Sequence, residues 1–216
     1  MNKSVIGIDL GTSSVKILQM FPDGTNRTSR ASYKAINKDG WWEAICRALA
    51  RLELDKVEAI SLSSQVGTYI VNGTEIISWN CGVGKEEVEE IKKKYTKEIF
   101  LKEISMVHPN IISYPIPRLK YIKKHYNKVE SVCQPKDFIC QQLTGNLVTD
   151  PYSWRGLANL DEKCYSDYFL QELEIAKEIL PEMIDYTGLN MDNKNVTGII
   201  NQIRDLLTEL ERAIKT

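Results

Sequence analysis

Val5 to Met20 read V-I-G-I-D-L-G-T-S-S-V-K-I-L-Q-M, a pattern that commits the start of the chain to two strands joined by a tight turn. Val5, Ile6 and Ile8 suit a buried strand, where an unpaired carboxylate is costly, so Asp9 belongs at the strand end beside water or a cation. Gly11 lets the backbone turn tightly, and the amides and hydroxyls of Thr12, Ser13 and Ser14 are compact donors able to face phosphate oxygens. Lys16 adds a positive charge on the return strand. These residues predict a phosphate-facing hairpin. An ordinary hairpin, in which Asp9 and Thr12 merely satisfy turn amides, accounts for the same residues.

Neither G-x-x-x-x-G-K-[ST] nor a strand-linked G-x-G-x-x-G occurs, so the hairpin is not a P-loop or Rossmann phosphate site. With 28 basic against 29 acidic residues, no basic stripe is available for nucleic acid, and no nucleic-acid partner is expected. The apolar runs are too short for a membrane span, and the start lacks the pattern of a signal peptide, so a cytoplasmic, soluble globule is expected. Cys46, Cys81, Cys133, Cys140 and Cys164 are odd in number and show no C-x-x-C spacing, which argues against a disulfide framework and a zinc site. Cys46 and Cys140 are expected as small core fillers.

Farther along, Pro22-Asp23-Gly24 is a turn and residues 26–35 a third strand. Residues 41–54 have a helical apolar period, and 57–62, 68–71 and 75–79 read as strands, with Asn72-Gly73 as a hairpin turn. Helices are predicted over 85–95 and 99–105. Pro115 and Pro117 mark a loop before a helix over 118–126, whose Lys and Arg residues read as a solvated face. A further helix over 138–143 is stopped by Thr144-Gly145. Ile199 to Ile214 places apolar residues on one face of an amphipathic C-terminal helix, suited to docking on this domain or on a partner. Asp150, beside a turn, reads as a structural cap.

The opening hairpin resembles the first phosphate motif of the actin, Hsp70 and sugar kinase superfamily. Other segments narrow the resemblance. Ile60 to Gln65 is similar to a strand ending in a sugar-facing Gln, and Ile77-Ser78-Trp79-Asn80 to one closing on a Trp-Asn pair. Pro135-Lys136-Asp137-Phe138, Gln142-Leu143-Thr144-Gly145, Val148-Thr149-Asp150, Tyr165-Ser166 and Leu180-Pro181-Glu182 follow in the order found in FGGY carbohydrate kinases. The chain therefore resembles the N-terminal domain of that family, the group of xylulokinase, gluconate kinase and glycerol kinase. A filament-forming actin relative would share only the hairpin.

The resemblance implies an α/β fold, an actin-like (ribonuclease H-like) lobe with a mixed five-stranded sheet and flanking helices, over residues 1–216. The amphipathic helix would occupy 199–216. It implies an ATP-dependent kinase acting on a sugar or polyol hydroxyl, with ATP and Mg²⁺ as cofactors of the complete enzyme. Asp9 would organise the magnesium and its water, Gly11, Thr12, Ser13 and Lys16 would face the phosphates, and Gln65, Trp79 and Asn80 would hold the sugar. Gln65 as a plain strand cap and Trp79 as plain core remain open readings. The family's general base, an Asp in Gly-Asp-Asn or Gly-Asp-Gln, and its adenosine pocket are not expected here, since Asp192-Asn193 lacks the preceding glycine. The chain should then be inert without an ATP-binding lobe or companion chain, whether it is a separate domain, a shortened product or a subunit of a split enzyme. It should also self-associate as a homo-oligomer through the surface such a lobe would cover. A non-catalytic sugar-binding or interaction module is the alternative.

Two departures from the family pattern concern the sugar. Gln65-Val66-Gly67-Thr68 stands where many relatives have Gln-Met-His-Gly, and Trp79-Asn80-Cys81-Gly82-Val83 where they have Trp-Asn-Asp-Gln-Arg. The missing His, Asp and Arg weaken a pentulose assignment.

Overall fold

The computed structural model describes residues 3–33, 35–107 and 111–184. The predicted helix over 199–214 lies outside them. The described chain forms two compact units, residues 3–65 with 139–145, and residues 66–138 with 146–184.

In the first unit, β1 (Ser4–Leu10), β2 (Ser14–Met20) and β3 (Asn26–Ser32) form an antiparallel meander. Helix α1 (Lys38–Leu49) then leads to β4 (Val57–Ser64), which pairs parallel to β1. The sheet order is β3-β2-β1-β4, so four strands stand where five were expected, and the outer edge of β4 is unpaired among the described residues. Alternation decides which face is core. Ile6, Ile8, Leu10, Val15 and Ile17 are at most 2% exposed, and α1 packs Trp41, Ala44, Ile45, Ala48 and Leu49 in the same interior. Asn37 caps that helix, its Oδ1 accepting from Gly40 N at 2.8 Å, which starts it before the predicted Trp41. Gln19 is fully buried because its amide is spent: Nε2 donates to Glu53 O at 2.8 Å, and Oε1 accepts from Glu53 N at 3.2 Å. Of the expected core cysteines, Cys46 is buried but Cys140 is only half-buried, while Cys133 is buried instead.

The second unit contains β5 (Tyr69–Val71) and β6 (Glu75–Ile77), joined by the expected Asn72-Gly73 turn with both residues at positive φ. Helices α2 (Lys85–Lys94), α3 (Lys97–Ile104) and α4 (Pro115–His125) follow. Pro115 and Pro117 open α4 rather than precede it, because a proline in the first turn removes only an N–H that has no helical partner there. Strand β7 (Val132–Cys133) pairs with β5, and α5 (Pro135–Thr144) ends at Gly145 at φ 79°. Short strands β8 (Val148–Thr149), β9 (Ala158–Asn159) and β10 (Cys164–Tyr165), helix α6 (Asp167–Glu172) and β11 (Glu182–Met183) complete the described fold. Trp154, Tyr69, Tyr165, Phe100 and Phe169 anchor the core, with Trp154 edge-on to both Tyr69 and Tyr165. No helix among the described residues is long and apolar enough to cross a membrane.

Buried polar groups fasten the start of α5. Asp137 is fully buried, and its Oδ2 accepts from Gln134 N at 2.8 Å and Trp154 Nε1 at 3.0 Å, closing the helix start as an acid at the third position does in a capping box. Asp150 behaves as the predicted cap: its Oδ1 accepts from Tyr152 N and Ser153 N, and Lys136 Nζ lies 2.5 Å from Oδ2. Burial pushes the Asp150 carboxyl up, but Lys136 and Ser153 outweigh it and hold it below its ordinary value. At Asp137 burial prevails over the donors and lifts the carboxyl from 3.8 to about 6.

The fold therefore favours neutral Asp137. Its contribution is fully present below pH 3.8 and is lost as pH rises through about 6. Asp137→Asn keeps the shape and cannot ionise. Urea denaturation of both proteins at pH 4 and pH 7 should show the variant gaining on the native chain by up to about 3 kcal/mol at the higher pH.

Candidate functional site

The candidate residues of the first unit gather on the sheet face opposite α1. Strand parity puts Gly7 and Asp9 of β1, Lys16 and Leu18 of β2, Thr28 and Arg30 of β3, and Ser61 and Ser63 of β4 on this face. They line an open trough of about 780 Å³. In register Asp9 stands between Lys16 on one side and Ser63 on the other, and Lys16 stands opposite Arg30. One line across the sheet thus reads Ser63, Asp9, Lys16, Arg30. Hydroxyl, carboxylate and two cations lie side by side, at a strand spacing of about 4.8 Å.

The turn above this line is held by backbone. Gly11 N donates to Ser14 O at 3.0 Å, and Gly11 O accepts from the Tyr33 hydroxyl at 2.5 Å. A Cβ at Gly11 would come within 3.2 Å of Ser14 O, so any larger residue there would push the turn open by a few tenths of an ångström. Thr12 and Ser13 are exposed. Neither their hydroxyls nor the Asp9 carboxylate has a hydrogen-bond or ion-pair partner among the described residues. An ordinary hairpin would spend these groups on its own amides; here they are left for something else. Gln65 extends the line of β4, its N donating to Leu10 O at 2.8 Å beside the end of β1. Its side-chain Nε2 is buried and has no partner among the described residues.

An exposed carboxylate next to unspent hydroxyls and a lysine fits a magnesium held through water together with phosphate oxygens. No cluster of three metal-binding side chains occurs among the described residues.

In the second unit Trp79 and Asn80 sit together on the turn that follows β6. Trp79 is 43% exposed, so it is not core. Its N donates to Thr68 Oγ1 at 3.1 Å, and Ser78 Oγ donates to Asn80 Oδ1 at 2.7 Å. The turn rests on Arg118 of α4. Arg118 Nη2 donates to Ser78 O at 3.1 Å and to Cys81 O at 3.4 Å, and Nη1 donates to Cys81 Sγ at 3.0 Å. This residue was expected on a solvated face but is fully buried, the correction following from the carbonyls and sulfur that take up its two Nη groups, while the buried Nε has no hydrogen-bond partner among the described residues.

The loop ahead of β5 explains one departure in the sequence. Gly67 adopts φ 85°, and a Cβ there would lie 2.8 Å from Ser113 Cβ. No histidine can stand at 67 on this backbone. Gln134, buried, spans the loop by accepting from Gly67 N at 3.4 Å and donating to Ser153 O at 2.7 Å.

Sequence reasoning pointed to Asp9, Lys16 and the turn but not to Thr28, Arg30, Ser61 and Ser63, which line the same trough. The serines were legible, since I-S-L-S alternates; the β3 residues were not, because N-R-T-S-R-A-S has no apolar rhythm from which to read a face.

Residues 4–191 match the family described as FGGY family of carbohydrate kinases, N-terminal domain, and the chain belongs to that family. A xylulose kinase of Staphylococcus xylosus is 29% identical over an alignment covering 92% of this chain and 47% of that protein. A glycerol kinase of Thermococcus kodakarensis is 28% identical, covering 85% and 43%. Among solved structures, a gluconate kinase from Lactobacillus acidophilus superposes with a TM-score of 0.74 at 22% identity, covering 92% of this chain and 46% of that one. A ligand-bound xylulose kinase from the same organism gives 0.73 at 22% identity, covering 91% and 45%. These neighbours establish the actin-like fold. The chain spans less than half the length of these relatives.

Because Asp9 is exposed and unpaired among the described residues, it carries little of the stability. Asp9→Asn should shift unfolding free energy by no more than about 0.5 kcal/mol in chemical denaturation. Arg118→Met should cost about 3 kcal/mol, since it leaves two carbonyls of the part-buried 78–81 turn without their donor.

Proposed function

We propose that this chain, residues 1–216, is the sugar-binding N-terminal part of an ATP-dependent carbohydrate kinase that phosphorylates a sugar or polyol hydroxyl. The observation that carries this reading is the unspent set on the open sheet face, where the Asp9 carboxylate and Lys16 lie in one register line below the unpaired Thr12 and Ser13 hydroxyls.

Magnesium-bound ATP supplies the electrophilic phosphoryl group with part of its charge neutralised. Asp9 would hold a bound magnesium through water; Gly11, Thr12 and Ser13 would offer donors to phosphate oxygens without a bulky side chain in the way; Lys16 would add a point charge. Gln65 presents its unpartnered amide Nε2, Trp79 a ring for the C–H surface of a carbohydrate, and Asn80 a carboxamide for hydroxyls. Positioning of this kind accelerates transfer only when the base and the nucleotide are both aligned. The general base and adenosine pocket belong to an ATP-binding lobe or companion chain, so the chain alone is inactive. Relatives named for xylulose, glycerol and gluconate bracket the substrate as a small polyhydroxylated molecule. Gly67 in place of histidine argues against a pentulose held through an imidazole. The reading includes a cytoplasmic location and a homo-oligomer.

A coupled ATPase assay with pentuloses, hexuloses, gluconate and glycerol, run beside thermal-shift scans of the same compounds without ATP, tests this reading. The expected result is a compound-specific rise in melting temperature that Trp79→Ala abolishes, with no turnover. Turnover by the chain alone would overturn its incompleteness, and a flat scan for every compound would overturn the sugar site.

A further inference from the structure

We propose that Arg30 of β3 is a second cationic anchor, beside Lys16, for the polyphosphate of a metal-bound nucleotide. This rests on the hairpin reading given above and adds to it a residue from outside the hairpin's own turn.

Register carries the first part of the argument. Lys16 stands directly opposite Arg30, with Asp9 on the other flank of Lys16, and all three line the same trough. The two cations are therefore neighbours on one face, about 5 Å apart at the backbone. Like charges opposite each other on a sheet are unfavourable unless an anion lies between them. No carboxylate of the described residues fills that place, since neither Lys16 nor Arg30 has an ion-pair partner among them.

Orientation carries the second part. Arg30 Nε donates to Ser14 Oγ at 3.2 Å. By strand parity Ser14 shares the Lys16 face, and it is the residue at which the phosphate-facing turn enters β2. The guanidinium is thus hooked toward the turn from the neighbouring strand, and its two terminal nitrogens have no partner among the described residues. The backbone beneath is also fixed, with Arg51 Nη1 donating to Arg30 O at 3.0 Å. A planar fork held at Nε with both Nη groups available matches two oxygens of one phosphate.

Chemical complementarity identifies the ligand class. The line presents a carboxylate at one end and two cations at the other, over about 10 Å from Asp9 to Arg30, two strand spacings. A bare anion would be repelled by Asp9, and a bare divalent cation by Lys16 and Arg30. A polyphosphate carrying its own metal satisfies both ends, metal toward Asp9 and oxyanions toward the cations.

The test is calorimetric titration of the chain with tripolyphosphate in low salt, with and without Mg²⁺, for the native protein and for Lys16→Ala, Arg30→Gln and Arg30→Lys. The expected result is Mg²⁺-enhanced binding that Arg30→Gln weakens about tenfold at an unchanged melting temperature, while Arg30→Lys recovers part of the loss. Native-like affinity in Arg30→Gln together with weakened binding in Lys16→Ala overturns the role of Arg30 and leaves the hairpin reading standing. Native chain that takes up no tripolyphosphate at millimolar concentration overturns both. Should Arg30→Gln lower the melting temperature, Arg30→Lys decides: affinity equal to that of Arg30→Gln assigns the effect to lost packing and overturns the proposal.

Discussion

Everything in the first unit depends on the burial of one side of β1 and β2. With a period of two, packing Ile6, Ile8, Leu10, Val15 and Ile17 against α1 forces Asp9 and Lys16 to the opposite side. A slip of one residue between the strands would bury the carboxylate and expose the isoleucines. The chemistry of the trough is thus fixed by hydrophobic burial rather than by polar contacts within it. This lets the polar groups there stay unpaired without loss of fold.

The second unit uses the reverse strategy. Its candidate residues lie on a turn, where no alternation holds them, and buried polar side chains take over. Arg118 fixes the 78–81 turn through two carbonyls and a sulfur, and Gln134 fixes the loop at Gly67. Asp137 fixes the start of α5 at the expense of an unfavourable ionisation at neutral pH. Each of these groups takes up several polar atoms of its own segment, so they position the turn more strictly than apolar packing alone, even with the buried Arg118 Nε left without a partner among the described residues.

The sequence was most legible where local rules coincide with tertiary packing. The hairpin, α1, the Asn72-Gly73 turn and the Asp150 cap each follow from residue chemistry within a few positions, and the structure contains all of them. It was least legible where distant groups set the environment. Arg118 has neighbours on a helix that read as a charged surface, and only the carbonyls of a turn some forty residues earlier make its burial tolerable. Pro115 looked like a break because a proline stops a helix it follows and starts one it leads. Arg30 belongs to the trough solely through strand pairing, which no periodicity in a polar strand announces.

The flank of β4 that has no neighbouring strand among the described residues has a consequence for how this protein behaves in concentrated solution. Along it Ile60 and Leu62, half-buried, alternate with serines at 61 and 63, and the outward peptide groups have no strand beside them among the described residues. Edges of this kind are ordinarily blunted by lysine, proline or a bulge, and beyond Glu58, near the start of β4 and paired with Lys3, only hydroxyls do so here. Hydroxyls keep the edge wet without repelling a second one, so the strand tolerates an added neighbour better than it resists one. Recruitment of a matching strand would extend the sheet without rearranging the trough beside it, and crowding without such a strand would favour edge-to-edge aggregation.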